Sequence, residues 1–279
     1  MSKLKTYLKH PFSFILLILI GICTFITVAS VLFIICYILI NGIPNLTPSL
    51  FSLKYNSENV SMLPSIINTV SITFLTLLIA VPVGIFSAVY LVEYAKKGSK
   101  FVKVIRVTTE TLAGIPSIVF GLFGFLAFVI ALGWGYSLIA GVLTLVLMVL
   151  PTIIRTTEEA LLAVPDTYRE GSFGLGAGKL RTIFKIILPS AVPGILSGVI
   201  LAIGRIVGES AALIFTAGTV ANTATGLMSS ARTLSVHLYC LLTEGLYTKE
   251  AYATAVVLLL LVVGINALSN FVAKKIAKV

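Results

Sequence analysis

The feature that most constrains this chain is a series of six long apolar stretches. In order they are Ser13–Ile40, Ile66–Val92, Leu112–Leu132, Ser137–Ile154, Pro193–Phe215 and Tyr252–Ala273. A helix that crosses the hydrocarbon core of a membrane needs roughly 20 apolar residues, and each stretch is close to that length or longer. With 58% hydrophobic and 11% charged residues, the chain is also far more apolar than a soluble domain. The sequence therefore predicts an all-α membrane protein with six transmembrane helices.

The distribution of basic residues predicts the orientation of these helices. Most of the 20 lysine and arginine residues flank the helix ends on one side of the membrane, whereas the opposite loops hold only Lys54, Arg232 and Lys249. Positive charge concentrates in cytoplasmic loops, so we expect both termini, residues 1–12 and 274–279, and the loop 155–192 to be cytoplasmic. The net charge of +10 is then a topology signal rather than a footprint for nucleic acid.

The first apolar stretch is set apart from the others. The run 13–40 is about twice as long as the apolar part of a signal peptide, which predicts a retained helix. A segment rich in Pro, Asn and Ser, residues 41–65, follows it as an external loop. We therefore expect one peripheral helix and a five-helix core over residues 66–273. Within residues 217–251, the run ARTLSVHLYCLL fits an interfacial or re-entrant element on the external side.

Two spacings of glycine predict close contacts between helices in this core. They are Gly121-x-x-Gly124 and Gly194-x-x-x-Gly198. Small residues at such spacings allow two helix backbones to approach each other in a membrane.

Catalysis by this chain itself finds no support in the sequence. His10 and His237 are its two histidines, and its three cysteines have no paired spacing, so neither a zinc protease motif nor another metal site is indicated. The run GLGAGKL resembles a phosphate-binding P-loop, but it has Phe173 in place of the first glycine and Leu180 in place of the magnesium-binding Ser or Thr. We expect neither an ATPase site nor a cofactor in this chain.

The predicted cytoplasmic loop contains a short helix between turns. Pro165 ends the preceding helix, and Thr167-x-x-Glu170 has the pattern of a capping box that starts a new one. Gly174, Gly176 and Gly178 interrupt the chain at the far end. Such a helix is suited to fit a groove on a partner protein.

This loop resembles the signature loop of the membrane subunits of ABC-type importers, E-A-A-x3-G-x9-I-x-L-P. The matching positions are Glu170, Gly176, Ile186, Leu188 and Pro189, while Gly171 and Ser172 replace the two alanines. The resemblance implies a type I importer permease fold. It also implies that the loop carries a coupling helix that docks on an ATPase subunit.

Three further segments resemble the permease subunits of the phosphate-specific (Pst) ABC transporter. They are ETLAGIPSIVFGLFG, LPTIIRTTEEAL and GRIVGESAAL, and the short amino terminus is closer to the A subunit (PstA) than to the C subunit (PstC). The resemblance implies a bacterial or archaeal inner-membrane protein that pairs with a PstC-like permease. It further implies two PstB-like ATPase subunits, which use ATP and magnesium, and an external PstS-like phosphate-binding protein.

Two charges stand inside the fifth apolar stretch. Arg205 and Glu209 are four residues apart, so on a continuous helix they would share one face. Charges in a span usually face the bundle interior or a wet cavity. A guanidinium can bind two phosphate oxygens, and a carboxylate can accept the proton that phosphate keeps and sulfate lacks. We hypothesise that Arg205 attracts phosphate, that Glu209 selects a protonated anion, and that Ser210 and Thr216 offer neutral donors.

Other interpretations of the same residues stay open. Arg205 and Glu209 also fit a structural ion pair, and the chain also fits a permease for another oxyanion, such as sulfate or molybdate. A secondary anion transporter is a more distant alternative, because its mechanism needs no ATPase-docking loop.

Overall fold

The computed structural model describes residues 11–96 and 98–276, and these residues form helices joined by short loops. In chain order the helices are α1 (Pro11–Gly42), α2 (Leu63–Val89), α3 (Lys100–Ala113), α4 (Ser117–Gly124), α5 (Leu138–Leu162), α6 (Asp166–Gly174), α7 (Lys179–Thr182), α8 (Leu188–Val207), α9 (Ala211–Thr216), α10 (Leu234–Glu244) and α11 (Thr248–Ile276). Single π-helical turns extend α2 through Tyr94 and α4 through Ala131, and a third joins α7 to α8. No strand occurs in the described ranges, as the predicted all-α class requires.

Helices long enough to cross a membrane account for five of the six predicted spans. Those helical segments are Phe14–Asn45, Leu63–Tyr94, Leu138–Leu162, Lys179–Val207 and Thr248–Phe271. The remaining predicted span, Leu112–Leu132, is not one straight helix: α3 and α4 meet there at an angle of 104°. The bend has a local cause, because Pro116 lacks an amide hydrogen and disfavours a helical conformation at Ile115.

The first helix is peripheral, as predicted. Most side chains of α1 are exposed, and it packs on α11 through the rings of Tyr37 and Tyr252. Near its end, Gly42 lies against the Tyr252 carbonyl with no space for a Cβ atom. The contact with α11 is what ties α1 to the bundle.

Helix α5 is the centre of the core. It packs against α2 and α8, and its residues Leu145, Met148 and Ile153 are fully buried. A Cβ atom on Gly194 of α8 would lie 2.6 Å from the Cβ of Ala160 of α5. The predicted close approach at the glycine spacings is therefore present where α8 crosses α5.

The fifth predicted span, Pro193–Phe215, is also interrupted. Helix α8 ends at Val207, and the separate short helix α9 begins at Ala211. Helix α9 packs on α4, with a Cβ on Gly121 only 2.8 Å from the Ala212 Cα. The two interrupted spans, α3–α4 and α8–α9, thus contact each other through α4 and α9.

Candidate functional site

The break between α8 and α9 carries the two charges that the sequence places in the fifth span. Arg205 lies in the last turn of α8, whereas Glu209 lies beyond the helix end in the short linker before α9. The expectation that both residues share one helix face is therefore wrong, because Gly208 ends α8 between them. The ion pairs of the described residues also do not join them.

Glu209 acts as a cap for α9. Its side chain is 8% exposed, and its Oε1 accepts a hydrogen bond of 3.0 Å from the amide of Ala212. The first amides of a helix have no partner within the helix, and a negative charge at that end is favourable. The carboxylate therefore has a structural role that the sequence pattern did not reveal.

Arg205 is half-buried and has no carboxylate within ion-pair distance among the described residues. Its charge sits at the carboxyl end of α8, where a cation is stabilised by the helix dipole. A guanidinium in this state keeps its donors for a ligand or a neighbouring subunit.

The two predicted hydroxyl donors differ in their environments. Thr216 is fully buried, and its hydroxyl donates to the Ala212 carbonyl at 2.8 Å. Ser210 is half-buried at the start of α9, and its side chain does not cap that helix. Of the two residues, Ser210 is therefore the more accessible to solvent.

The segment before α10 folds back into the bundle. The side chain of Asn68 in α2 donates to the carbonyls of Asn222 and Arg232 and accepts from the amide of Ala224. The hydroxyl of Ser235 donates to the Val207 carbonyl at 2.6 Å, which satisfies the end of α8 beside Arg205. No sequence pattern singles out these residues as a group, although an asparagine within an apolar helix is an available signal.

A buried cation and a buried imidazole lie in the same region. Arg232 is 5% exposed and stacks over the ring of Tyr55, 5.0 Å from its centroid. His237 is fully buried, and its burial, together with the nearby charge of Arg232, lowers the pKa of His237 to about 4. His237 is therefore neutral at physiological pH.

The short helix in the predicted cytoplasmic loop is α6, but its start differs from the prediction. Helix α6 begins at Asp166, directly after Pro165, so Thr167 already lies inside the first turn and makes no capping bond. The capping box is therefore wrong, because the helix begins two residues before Tyr168, where a helix capped by Thr167 would begin. Gly174 ends α6, and Gly176 has a φ of +81°, so the predicted turn is present.

The signature residues of this loop divide into an outer and an inner set. Thr167, Glu170, Gly171, Gly176 and Pro189 are exposed, whereas Ile186 and Leu188 are half-buried. Ser172 is buried, and its hydroxyl lies 2.8 Å from that of Thr182. The outer set therefore forms a surface that a partner can reach.

Apolar side chains extend this surface. Leu175 is 91% exposed and stands at the tip of the loop. Tyr168, Phe173 and Leu180, which lie within seven residues of Leu175 in the sequence, are also exposed. An exposed apolar cluster beside charged residues is typical of a protein contact site.

Comparisons with known proteins find transporter membrane subunits that are similar to this chain. The family model described as "Binding-protein-dependent transport system inner membrane component" matches residues 80–278. A probable ABC transporter permease, YqgI of Bacillus subtilis, is 36% identical over 241 residues, which cover 81% of this chain and 82% of that protein. The phosphate transport system permease PstA of Haemophilus influenzae is 36% identical over 70% of each chain. PstA of Mycobacterium leprae is 40% identical over 68% of this chain, and the match spans 62% of that protein.

Solved structures show the same fold at low sequence identity. A chain of a bacterial alginate ABC transporter matches with a TM-score of 0.72 and 15% identity over 98% of both chains. A chain of the MetNI methionine ABC transporter matches with a TM-score of 0.61 and 22% identity, over 76% of this chain and 93% of that one. These likenesses concern the fold alone.

Proposed function

We propose a function for this chain from the premise that it belongs to the family of binding-protein-dependent transport system inner membrane components, whose model matches residues 80–278. The chain is a multi-pass membrane subunit without a catalytic role of its own. It translocates inorganic phosphate across the cytoplasmic membrane as the permease of an ATP-driven importer. Transport proceeds by alternating access, in which the site near Arg205 opens first outward and then inward.

The substrate follows from the relatives and from the chemistry of Arg205. Several relatives with 36–46% identity are phosphate transport permeases. A half-buried guanidinium with no carboxylate partner in the described chain is suited to hold an oxyanion through parallel hydrogen bonds. This observation carries the proposal, because an ionisable residue within a span is by default a candidate for the path of a substrate or an ion.

The partners follow from the family and from the exposed loop. A cytoplasmic ATPase subunit docks on α6 and the apolar cluster around Leu175, which supplies a contact surface. A PstC-like permease pairs with this chain, two PstB-like ATPase subunits supply the energy, and an external PstS-like protein delivers phosphate. Affinity resides mainly in the binding protein, because a permease site must also release its ligand.

The test is phosphate uptake into proteoliposomes that contain the reconstituted complex. Uptake is expected to require internal ATP, the ATPase subunits and the binding protein, and to persist when the proton gradient is collapsed. Uptake that continued without the ATPase subunits but stopped with the gradient would identify a secondary transporter instead.

Another oxyanion is the second candidate, since Arg205 would also bind sulfate or molybdate. Competition distinguishes the two substrates in the same assay. We expect unlabelled phosphate to reduce the uptake of labelled phosphate strongly. Sulfate or molybdate at the same concentration should leave that uptake nearly unchanged.

A further inference from the structure

Arg169 joins α6 to two membrane helices at once. Its Nη2 and Nε donate to Oε1 of Glu93 at 2.7 and 3.1 Å. Its Nη1 donates to the Val164 carbonyl at 2.9 Å, and its Nη2 donates to the Leu161 carbonyl at 3.0 Å. Glu93 belongs to the π-helical end of α2, and Leu161 lies in the last turn of α5. One side chain therefore connects α6 with α2 and α5.

The geometry of this contact needs an arginine. The guanidinium is planar and carries donors on both sides, so it reaches the carboxylate and the two carbonyls together. Carbonyls in the last turn of a helix lack their regular helical partner, and the Leu161 carbonyl accepts a long bond of 3.4 Å from the Val164 amide. Arg169 adds a shorter bond of 3.0 Å to this carbonyl. A lysine ammonium is a single point and cannot span the same set of acceptors.

The pair is shielded from solvent. The side chains of Arg169 and Glu93 are 16% and 9% exposed, respectively. Removing one partner from such a pair leaves a charge without compensation, and this is costly. Asp166 also contacts Arg169, at 3.1 Å, but its side chain is 82% exposed, so this second contact is weak.

The contact between Arg169 and Glu93 lies beside an apolar cluster to which several helices contribute. Ala88 and Val89 of α2 pack in one cluster with Leu161, Ile183 and Ile187. Helix α6 is also held by the hydrogen bond between Ser172 and Thr182 and by the short linker 163–165, which joins it to α5. A displacement of α6 thus reaches α2 through the contact between Arg169 and Glu93.

We propose that Arg169 and Glu93 form the joint that transmits movement of α6 to α2 and α5, so that Arg169 is a positioning residue for coupling ATP hydrolysis to transport. This inference rests on the proposed function, in which an ATPase subunit drives α6. It assigns a role to two residues that lie outside the signature loop positions.

The test compares Glu93→Gln, Arg169→Lys and the double variant with wild type in proteoliposomes made from purified, fully assembled complex. Phosphate uptake and ATP hydrolysis are measured on the same vesicles. Each single variant is expected to lower the phosphate moved per ATP by about fivefold or more, because the buried contact is broken. The double variant is expected to be no worse than the poorer single one, since both changes break one contact.

Two further variants control for folding and for charge. Glu159→Gln breaks the exposed pair between Arg155 and Glu159 within α5, whose side chains are 57% and 63% exposed, and is expected to leave the phosphate moved per ATP unchanged. Glu93→Asp keeps the charge, so this variant is expected to assemble normally. Because its side chain is shorter, it is expected to move an intermediate amount of phosphate per ATP.

The outcomes separate this inference from the function on which it rests. Wild-type vesicles that take up no phosphate would refute the proposed function. The joint would be overturned by a different result: wild type takes up phosphate, and the variants yield less assembled complex but move an unchanged amount of phosphate per ATP. Arg169 would then be a purely structural residue.

Discussion

Glu209 has an observed role in folding and a hypothesised role in selectivity. Its carboxylate accepts from the Ala212 amide and is held in place at the break beside Arg205. A hydrogen bond between a charged acceptor and the proton of phosphate would discriminate against sulfate by about tenfold or more. We therefore keep the selective role as a hypothesis and separate it from the cap by mutation.

In Glu209→Gln, the side-chain oxygen can still cap α9 while the charge is lost. We expect the thermal stability of the complex to be retained and sulfate to compete about tenfold better for labelled phosphate on the permease complex without binding protein. Glu209→Ala is the control, since it should also lose about 1 kcal/mol of stability with the cap. An unchanged preference in Glu209→Gln would refute the selective role.

His237 makes the fold sensitive to acid. Its pKa of about 4 in the fold lies below the ordinary value of 6.5, so the unfolded chain takes up a proton first as the pH falls. Stability is expected to be complete above pH 6.5 and to decline by about 3 kcal/mol between pH 6.5 and 4. Thermal unfolding in detergent across this pH range measures the loss.

His237→Leu is the matched variant for this pH dependence. Neither ring nitrogen of His237 makes a hydrogen bond of good geometry in the described residues, and the nearby Val60 backbone is only the smallest influence on its pKa. An apolar side chain therefore costs little at neutral pH. The variant should be as stable as wild type at pH 7 and more stable at pH 5. Equal declines in both proteins would assign the acid sensitivity to other groups.

At the scale of elements, the apolar stretches predicted where helices occur but not where they break. Pro116 was a visible signal for the bend between α3 and α4. The break after Val207 had weaker signals, since Gly208 alone is tolerated in a helix and Glu209 fits a helix as well as a cap. The cap bond itself is local, because it joins residues three apart. The start of α9 accompanies its packing against α4, which is tertiary information that a local pattern does not contain.

Substitution by alanine is expected to have opposite effects on stability at two glycines. In Gly194→Ala the new methyl would meet the Ala160 methyl at 2.6 Å, so α8 and α5 must separate, at a cost of about 1–3 kcal/mol. In Gly171→Ala nothing lies within 4 Å of the new methyl, and better helix propensity in α6 should add about 0.5–1 kcal/mol.

The melting temperatures of the two variants and of wild type show whether each substitution lowers or raises stability as expected. The Gly171 variant also restores an alanine of the importer signature and is expected to transport normally. A stabilised Gly194 variant would contradict the close contact between α8 and α5.

At the scale of the whole molecule, the orientation in the membrane remains a prediction from charge. It places the loop around Leu175 inside and the loop around Leu246 outside, and both side chains are highly exposed. In a background without native cysteines, a membrane-impermeant thiol reagent should label Leu246→Cys in intact cells. Leu175→Cys should be labelled only after the cells are opened, and the reverse pattern would invert the topology.

The central claim is that Arg205 lies on the path of phosphate through an ATP-driven permease. The measurement is phosphate uptake into proteoliposomes with ATP hydrolysis followed in parallel, comparing wild type, Arg205→Lys and Arg205→Gln. We predict that Arg205→Gln abolishes uptake but keeps the stimulation of hydrolysis by the binding protein, while Arg205→Lys keeps part of the uptake. Uptake near the wild-type rate in Arg205→Gln would contradict the claim and make Arg205 a structural residue.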